Sequence, residues 1–281
     1  MIAWLSIGLV VLIVAIVVIV SQLGGGSTNT SYTPTTPAPA SVVSAVTNIP
    51  ASVYNTVGTG PSGTVNPPIL IHGHSPLVLD GKSPSILFYG AEYCPYCAAE
   101  RWALTAALSR FGTWSNLDIT ASSQTDVYAG THTLSYRSAS LSSPYINFHS
   151  VEQYTNIPAS GGNGAYTVLQ NPTKEEAKVI STFNSPSYIP GAQQGQISFP
   201  FISINNVALI SGASYNPGIL AGLSWTDIAN GLSNPSNPAT QAIVGTANYI
   251  SAAICASTKN APASVCTSSG VTAASKALKL S

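Results

Sequence analysis

Residues 86–104 read ILFYGAEYCPYCAAERWAL. The apolar run Ile86–Tyr89 has the length and composition of a buried central strand. Beyond it, Trp102, Leu104, Leu108 and Phe111 recur at helical spacing, and Gly112 ends the pattern. Pro95 suits a first helical turn, where its missing N–H costs nothing. Cys94 and Cys97 therefore fall where a strand hands over to a helix. A C-x-x-C pair alone is compatible with a redox dithiol, half of a zinc site or a structural disulfide. Its placement favours the dithiol. Free N–H groups and the positive end of the helix dipole stabilise a thiolate on Cys94. Cys97, one turn on, can close a disulfide with little chain movement. Thiolate attack on a substrate disulfide gives a mixed disulfide, which the second thiol resolves.

Downstream, residues 198–212 read SFPFISINNVALISG. Phe201–Ile204 and Val207–Ile210 flank Asn205-Asn206, a pair suited to a tight hairpin turn. Pro200 opens the first run, which places it at a strand start or in a special peptide geometry. Upstream, Leu77–Leu79, Asp80-Gly81 and Ser85–Tyr89 read as strand, turn, strand. Between Gly112 and Pro200 the chain is rich in Ser, Thr and Tyr, with β-like runs at LDITASS, HTLSYRSAS and PYINFHSVEQY. A short helix is expected in PTKEEAKVISTF, capped by Thr173 with Glu176 three residues on. Further helices are expected in GLSWTDIANGLS and in QAIVGTANYISAAICAS, the latter ending near Cys255, with Cys266 in a following polar turn.

The chain has 281 residues, of which 45% are hydrophobic and only 6% charged. Ordinary soluble domains carry about 25% charged residues. Nine basic and nine acidic residues cancel. That argues against nucleic-acid binding, which needs a basic face to displace counterions. Few carboxylates also mean little folding energy lost on their protonation, which suits an acidic exterior.

Ile2–Leu23 is almost unbroken Ile, Val, Leu and Ala without charge, and about 20 such residues span a bilayer as a helix. The absence of a basic n-region and of a small-residue cleavage box favours an uncleaved anchor over a signal peptide. Residues 24–41, GGGSTNTSYTPTTPAPAS, have the composition of an exposed stalk and hold the sequon Asn29-Thr30-Ser31. The expected organisation is an anchor at 1–23, a Gly/Pro/Thr-rich linker at 24–64 and a folded domain at 65–281. Within the linker, Val42–Val65 reads equally as linker or docking arm. The expected location is the cell membrane, with the domain facing outside.

Strand, C-x-x-C at a helix start, then a proline opening a hairpin, then a final helix: this order resembles the thioredoxin superfamily. Residues 86–104 and 198–212 carry the resemblance. The stretch Ala91–Cys97 is similar to thioredoxins, and C-P-Y-C is the glutaredoxin choice. The whole chain also resembles a group of archaeal membrane-anchored thioredoxin-like proteins without an assigned function. The resemblance implies an α/β, three-layer thioredoxin-like fold with a β-rich insertion at about 113–195 and a C-terminal helical extension at about 239–281. It implies Cys94 as nucleophile and Cys97 as resolving thiol. Pro200 matches the family's cis-proline, and Phe199, Pro200 and Tyr96 would shape the substrate groove. It implies no cofactor, protein thiols or disulfides as substrates, and a redox partner the sequence does not name. One departure stands out: Phe88 occupies the position of the family's buried acid, six residues before the first cysteine. Glu92 lies closer to the dithiol and is read as an exposed residue or a proton relay.

Cys255 and Cys266 read as a structural disulfide, since extra cysteine pairs outside the cytoplasm usually are. A shuttle pair or a four-cysteine zinc site are the alternatives, and the second pair lacks zinc-knuckle spacing. His72 and His74 in IHGH could bind metal as an i, i+2 pair but suit an exposed edge equally. His149 beside a C-x-x-C is similar to copper-delivery proteins of the same fold, whose cysteine spacing is one residue longer. His132 has no visible partner. Two readings other than catalysis follow: a binding or scaffold module with a static disulfide, and a copper chaperone.

Overall fold

The computed structural model describes residues 32–82, 84–161 and 164–280. The expected anchor, the sequon and the first part of the expected linker lie outside them. Among the described residues no helix is long and apolar enough to cross a membrane.

The strands are β1 (Thr36–Pro37), β2 (Ile69–Leu70), β3 (Ser85–Gly90), β4 (Thr113–Ser115), β5 (Asp118–Ala121), β6 (His132–Ser135), β7 (Ser140–Ser142), β8 (Asn147–Glu152), β9 (Tyr154–Pro158), β10 (Tyr166–Val168), β11 (Phe201–Ile204) and β12 (Ala208–Ser211). The helices are α1 (Ala40–Thr47), α2 (Ala51–Val57), α3 (Pro95–Leu108), α4 (Lys174–Phe183), α5 (Trp225–Gly231), α6 (Pro238–Ser257), α7 (Ala263–Cys266) and α8 (Ser269–Leu278).

A five-stranded sheet in the order β2-β12-β11-β3-β8 organises the protein. β8 runs parallel to β3, and β11 runs antiparallel to both β3 and β12. The period-two alternation of β3 explains why it is central. Ile86 and Phe88 pack toward α3 and α6 on one face; Leu87 and Tyr89 pack toward Ile180 and Phe183 of α4 on the other. The Asn205-Asn206 turn joins β11 to β12, with φ of 51° and 55°, the left-handed geometry that Asn tolerates. β12 begins at Ala208, one residue later than expected.

α3 is buried on all sides, with Tyr96 its one residue outside the core. α4 starts at the Thr173 capping box, whose hydroxyl takes the N–H of Glu176 while that carboxylate takes the N–H of Thr173. α6 packs along α3, and α8 packs on α6. Cys255 at the end of α6 and Cys266 in α7 are joined by a disulfide.

Two expectations are corrected, the start of the folded unit and the Leu77–Leu79 strand. The folded unit begins well before residue 65. α1 and α2 bury Val42, Val46, Val53 and Tyr54 in the main core, and Asn248 on α6 donates to the carbonyls of Tyr54 (2.9 Å) and Gly58 (2.7 Å). Small apolar residues spaced for a helix had the composition of a linker, but they meet a glycine-lined face. A Cβ on Gly270 would lie 2.4 Å from the Tyr54 carbonyl oxygen. Residues 113–195, expected as a β-rich insertion, supply β8 to the central sheet and α4 to its face. α6, expected within a C-terminal helical extension, packs in the main core. Finally, Leu77–Leu79 forms no strand; Leu77 and Leu79 are buried, and a single bridge from Leu79 to Lys82 spans the Asp80-Gly81 turn.

Candidate dithiol site

The site grows from the end of β3. The chain leaves the sheet at Gly90, which sits too close to the helix to carry a side chain. A Cβ there would lie 2.5 Å from the Phe88 ring and 3.1 Å from the Cys97 sulfur. After a three-residue turn, Cys94 becomes the N-cap of α3, and Pro95 fills the first helical position.

Cys94 and Cys97 are free thiols. The Cys94 Sγ accepts the Cys97 backbone N–H at 3.3 Å and lies 3.9 Å from the Phe199 carbonyl oxygen. Cys94 is 5% exposed and Cys97 is fully buried. The two sulfurs are electrostatically unlike. Burial works against ionising Cys94, yet the Cys97 thiol, the N–H groups of Cys97 and Tyr96 and the Arg101 charge outweigh it, leaving its pKa below the ordinary thiol value. Burial and the neighbouring Cys94 push Cys97 well above that value. The pair therefore divides into a sulfur whose thiolate is favoured and a sulfur held protonated behind it.

Phe199 precedes Pro200 through a cis peptide bond and packs against Tyr89 at a tilt, with ring centroids 4.9 Å apart. Asn184 holds the adjacent Ser198, its side chain bonding both backbone groups of that residue. Tyr96, Phe199, Ser198 and Gly212 line a cleft of about 410 Å³ that opens beside the dithiol. Tyr96 is 39% exposed and Ile197 51% exposed, and Tyr128 meets Tyr96 edge to face at 6.1 Å. Tyr96, Phe199 and Pro200, expected around the cysteines, are thus brought together with them. On the other side, Tyr93 stacks on Tyr166 at 4.1 Å, so the β9–β10 hairpin braces the loop before Cys94.

A buried charge cluster lies beneath. Arg101, one helical turn beyond Cys97, is fully buried. Its guanidinium grips Glu152 at the end of β8 twice, at 2.8 and 2.6 Å. It also donates to the Ala91 carbonyl at 2.8 Å, the same carbonyl that accepts the Cys94 N–H. Glu92 is buried rather than exposed. Its Oε1 accepts from Thr35 (3.0 Å) and Ser135 (2.7 Å); burial and the charge of Glu152 raise its pKa. Sequence reasoning passed over Arg101 and Glu152. An arginine four residues after Cys97, next to Glu100 in a largely apolar helix, was the available signal; the strand-end glutamate offered none.

The histidines lie elsewhere. His149 sits in mid-β8, opposite Leu87, where it meets Glu176 at 3.1 Å and Asp80 at 3.3 Å. His74 packs on Phe183 and Tyr188, His72 is exposed, and His132 faces the Leu223 carbonyl. Among the described residues no group of three or more His, Cys, Asp or Glu could hold a metal ion.

Fold and site together define a mixed α/β protein with an asymmetric, unpaired dithiol at a strand-to-helix junction. A family described as a domain of unknown function, DUF929, matches residues 75–256, and the chain belongs to it. No curated protein matches the chain, and no solved structure does.

Proposed function

We propose that this chain is a thiol–disulfide oxidoreductase with a thioredoxin-like fold, tethered through Ile2–Leu23 with its domain outside the cell membrane. The strand order, with the dithiol following the central β3 and the Phe199-Pro200 step opening β11, supports the fold assignment. The observation that carries the function is the Cys94 sulfur at the helix N-cap, taking the Cys97 N–H. That bond stabilises a thiolate on the less buried sulfur, while Cys97 waits one turn behind.

Exchange runs through one mixed disulfide. In the reducing direction the Cys94 thiolate attacks a substrate sulfur and expels the other as thiolate. Cys97 then gives up its proton and attacks Cys94, breaking the mixed disulfide, releasing the second substrate sulfur as thiolate and closing the protein disulfide. Two electrons pass to the substrate, and the oxidising direction is the reverse. The cleft between Tyr96 and Phe199 receives the substrate chain.

The test uses the full-length protein and Cys94→Ser and Cys97→Ala variants. Cys94→Ser is expected to abolish exchange with glutathione, and Cys97→Ala to accumulate a mixed disulfide at Cys94. A wild-type Cys94–Cys97 pair that does not exchange at any glutathione ratio would overturn the reading in favour of a static module.

A further inference from the structure

We infer that the buried Arg101 guanidinium stabilises the reduced dithiol and so poises this protein to donate a disulfide rather than to remove one. The inference rests on the exchange chemistry proposed above and settles its direction.

Arg101 follows Cys97 by four residues on α3, so both lie on one face of the helix. Its Nη2 holds the Ala91 carbonyl, which also receives the Cys94 N–H. Cation and dithiol thus share one turn of backbone. Both lie out of reach of bulk solvent, since Arg101 and Cys97 are fully buried. The guanidinium stays charged at any physiological pH, and its Nη1 has no hydrogen-bond partner among the described residues. A fixed positive charge at short range in a weakly polar interior favours thiolate over disulfide. Stabilising the reduced form makes a dithiol the stronger oxidant. Glu152 opposes this by sharing the charge. The titratable groups around the sulfurs are Glu92 and Tyr93 on the loop, Tyr96 and Arg101 on α3, and Glu152 on β8.

The step balances with the oxidised protein as oxidant. A substrate thiolate attacks the Cys94 sulfur and breaks the Cys94–Cys97 bond; Cys97 leaves and takes up a proton. A second substrate thiol loses its proton to solvent and attacks the substrate sulfur of the mixed disulfide. Cys94 departs as thiolate, and the substrate has lost two electrons. A disulfide of higher potential resets the pair.

Opposite charges at 101 and 152 give tests of opposite sign, which a merely structural role would not produce. The full-length wild type, Arg101→Met, Arg101→Lys and Glu152→Gln are equilibrated with glutathione, and free thiols at Cys94 and Cys97 are mapped. Arg101→Met is expected to move the equilibrium about tenfold toward the protein disulfide, about 30 mV lower in potential. Arg101→Lys should fall between it and wild type. Glu152→Gln should move the equilibrium several-fold the other way. In single turnover, oxidised wild type should close the disulfide of an uncharged two-cysteine peptide, while reduced wild type leaves that disulfide intact. Cooperative unfolding and an intact Cys255–Cys266 bond certify each variant. If Arg101→Met does not fold, Glu152→Gln decides. Folded variants at the wild-type equilibrium, shifts of one sign at both positions, or a reduced protein that opens the peptide disulfide would overturn the inference and leave the exchange reading standing. A wild-type pair that never exchanges removes both.

Discussion

Glu100, wholly buried in α3, accepts both the backbone N–H of Ser214 (2.8 Å) and its hydroxyl (3.1 Å). Burial pushes its pKa up to about 7, although both hydrogen bonds favour the charged form. Between the ordinary carboxylate value and about 7, the native state keeps a proton that the unfolded chain has lost. Stability is therefore fully present below about pH 4.5 and declines as pH rises through about 7. At about 1.4 kcal/mol per unit, the loss reaches about 3 kcal/mol. Urea unfolding at pH 5 and pH 8 should show it, and Glu100→Gln should remove most of the difference. An undiminished slope in that variant would count against the assignment. Glu92 contributes in the same direction.

The unequal sulfurs make a second prediction. In the reduced protein at neutral pH, iodoacetamide should alkylate Cys94 well before Cys97, because only a thiolate reacts and only Cys94 has its pKa lowered. Mass mapping after brief exposure reads the order. Equal rates, or Cys97 first, would reverse the roles.

A third concerns where the domain starts. A fragment beginning at residue 65 loses α1 and α2 and with them Val42, Val46, Val53 and Tyr54 from the core. Each is worth about 1.5–3 kcal/mol of burial, a total near the whole stability of a typical domain. That fragment should fail to unfold cooperatively, whereas one beginning at residue 32 should do so. Calorimetry on the two separates the cases.

Gly90→Ala supplies a fourth. The added methyl collides with the Phe88 ring and the Cys97 sulfur. Overpacking of this kind costs about 1–3 kcal/mol, and displacement of the sulfur should slow Cys94–Cys97 closure. A variant with wild-type stability and closure rate would show that the turn yields freely.

Local patterns made the dithiol, its helix and the Phe201–Ser211 hairpin legible in the sequence, because each is set by contacts within a few residues: an N-cap, a proline at the first turn, an Asn-Asn corner. What stayed hidden depends on partners distant in sequence. α1 is a run of small residues that becomes core only when α3 and α5 pack against it, as α2 does only against α6 and α8. Glu92 is drawn inside by Thr35 and Ser135, and Arg101 is matched by Glu152, 51 positions on. β8 looked like one β-rich run among several, since parallel pairing leaves no turn signal between the partners.

The enclosure of α3 has a consequence for how such a protein could change over generations. A helix packed on every side can accept few substitutions without disturbing its neighbours, so the reactive pair and its charge partner are frozen together. Tyr96 alone escapes. Sequence change around the dithiol is thereby channelled into that one helical position and into surface residues that meet it, such as Tyr128, while the buried cysteine and its charge partner stay as they are.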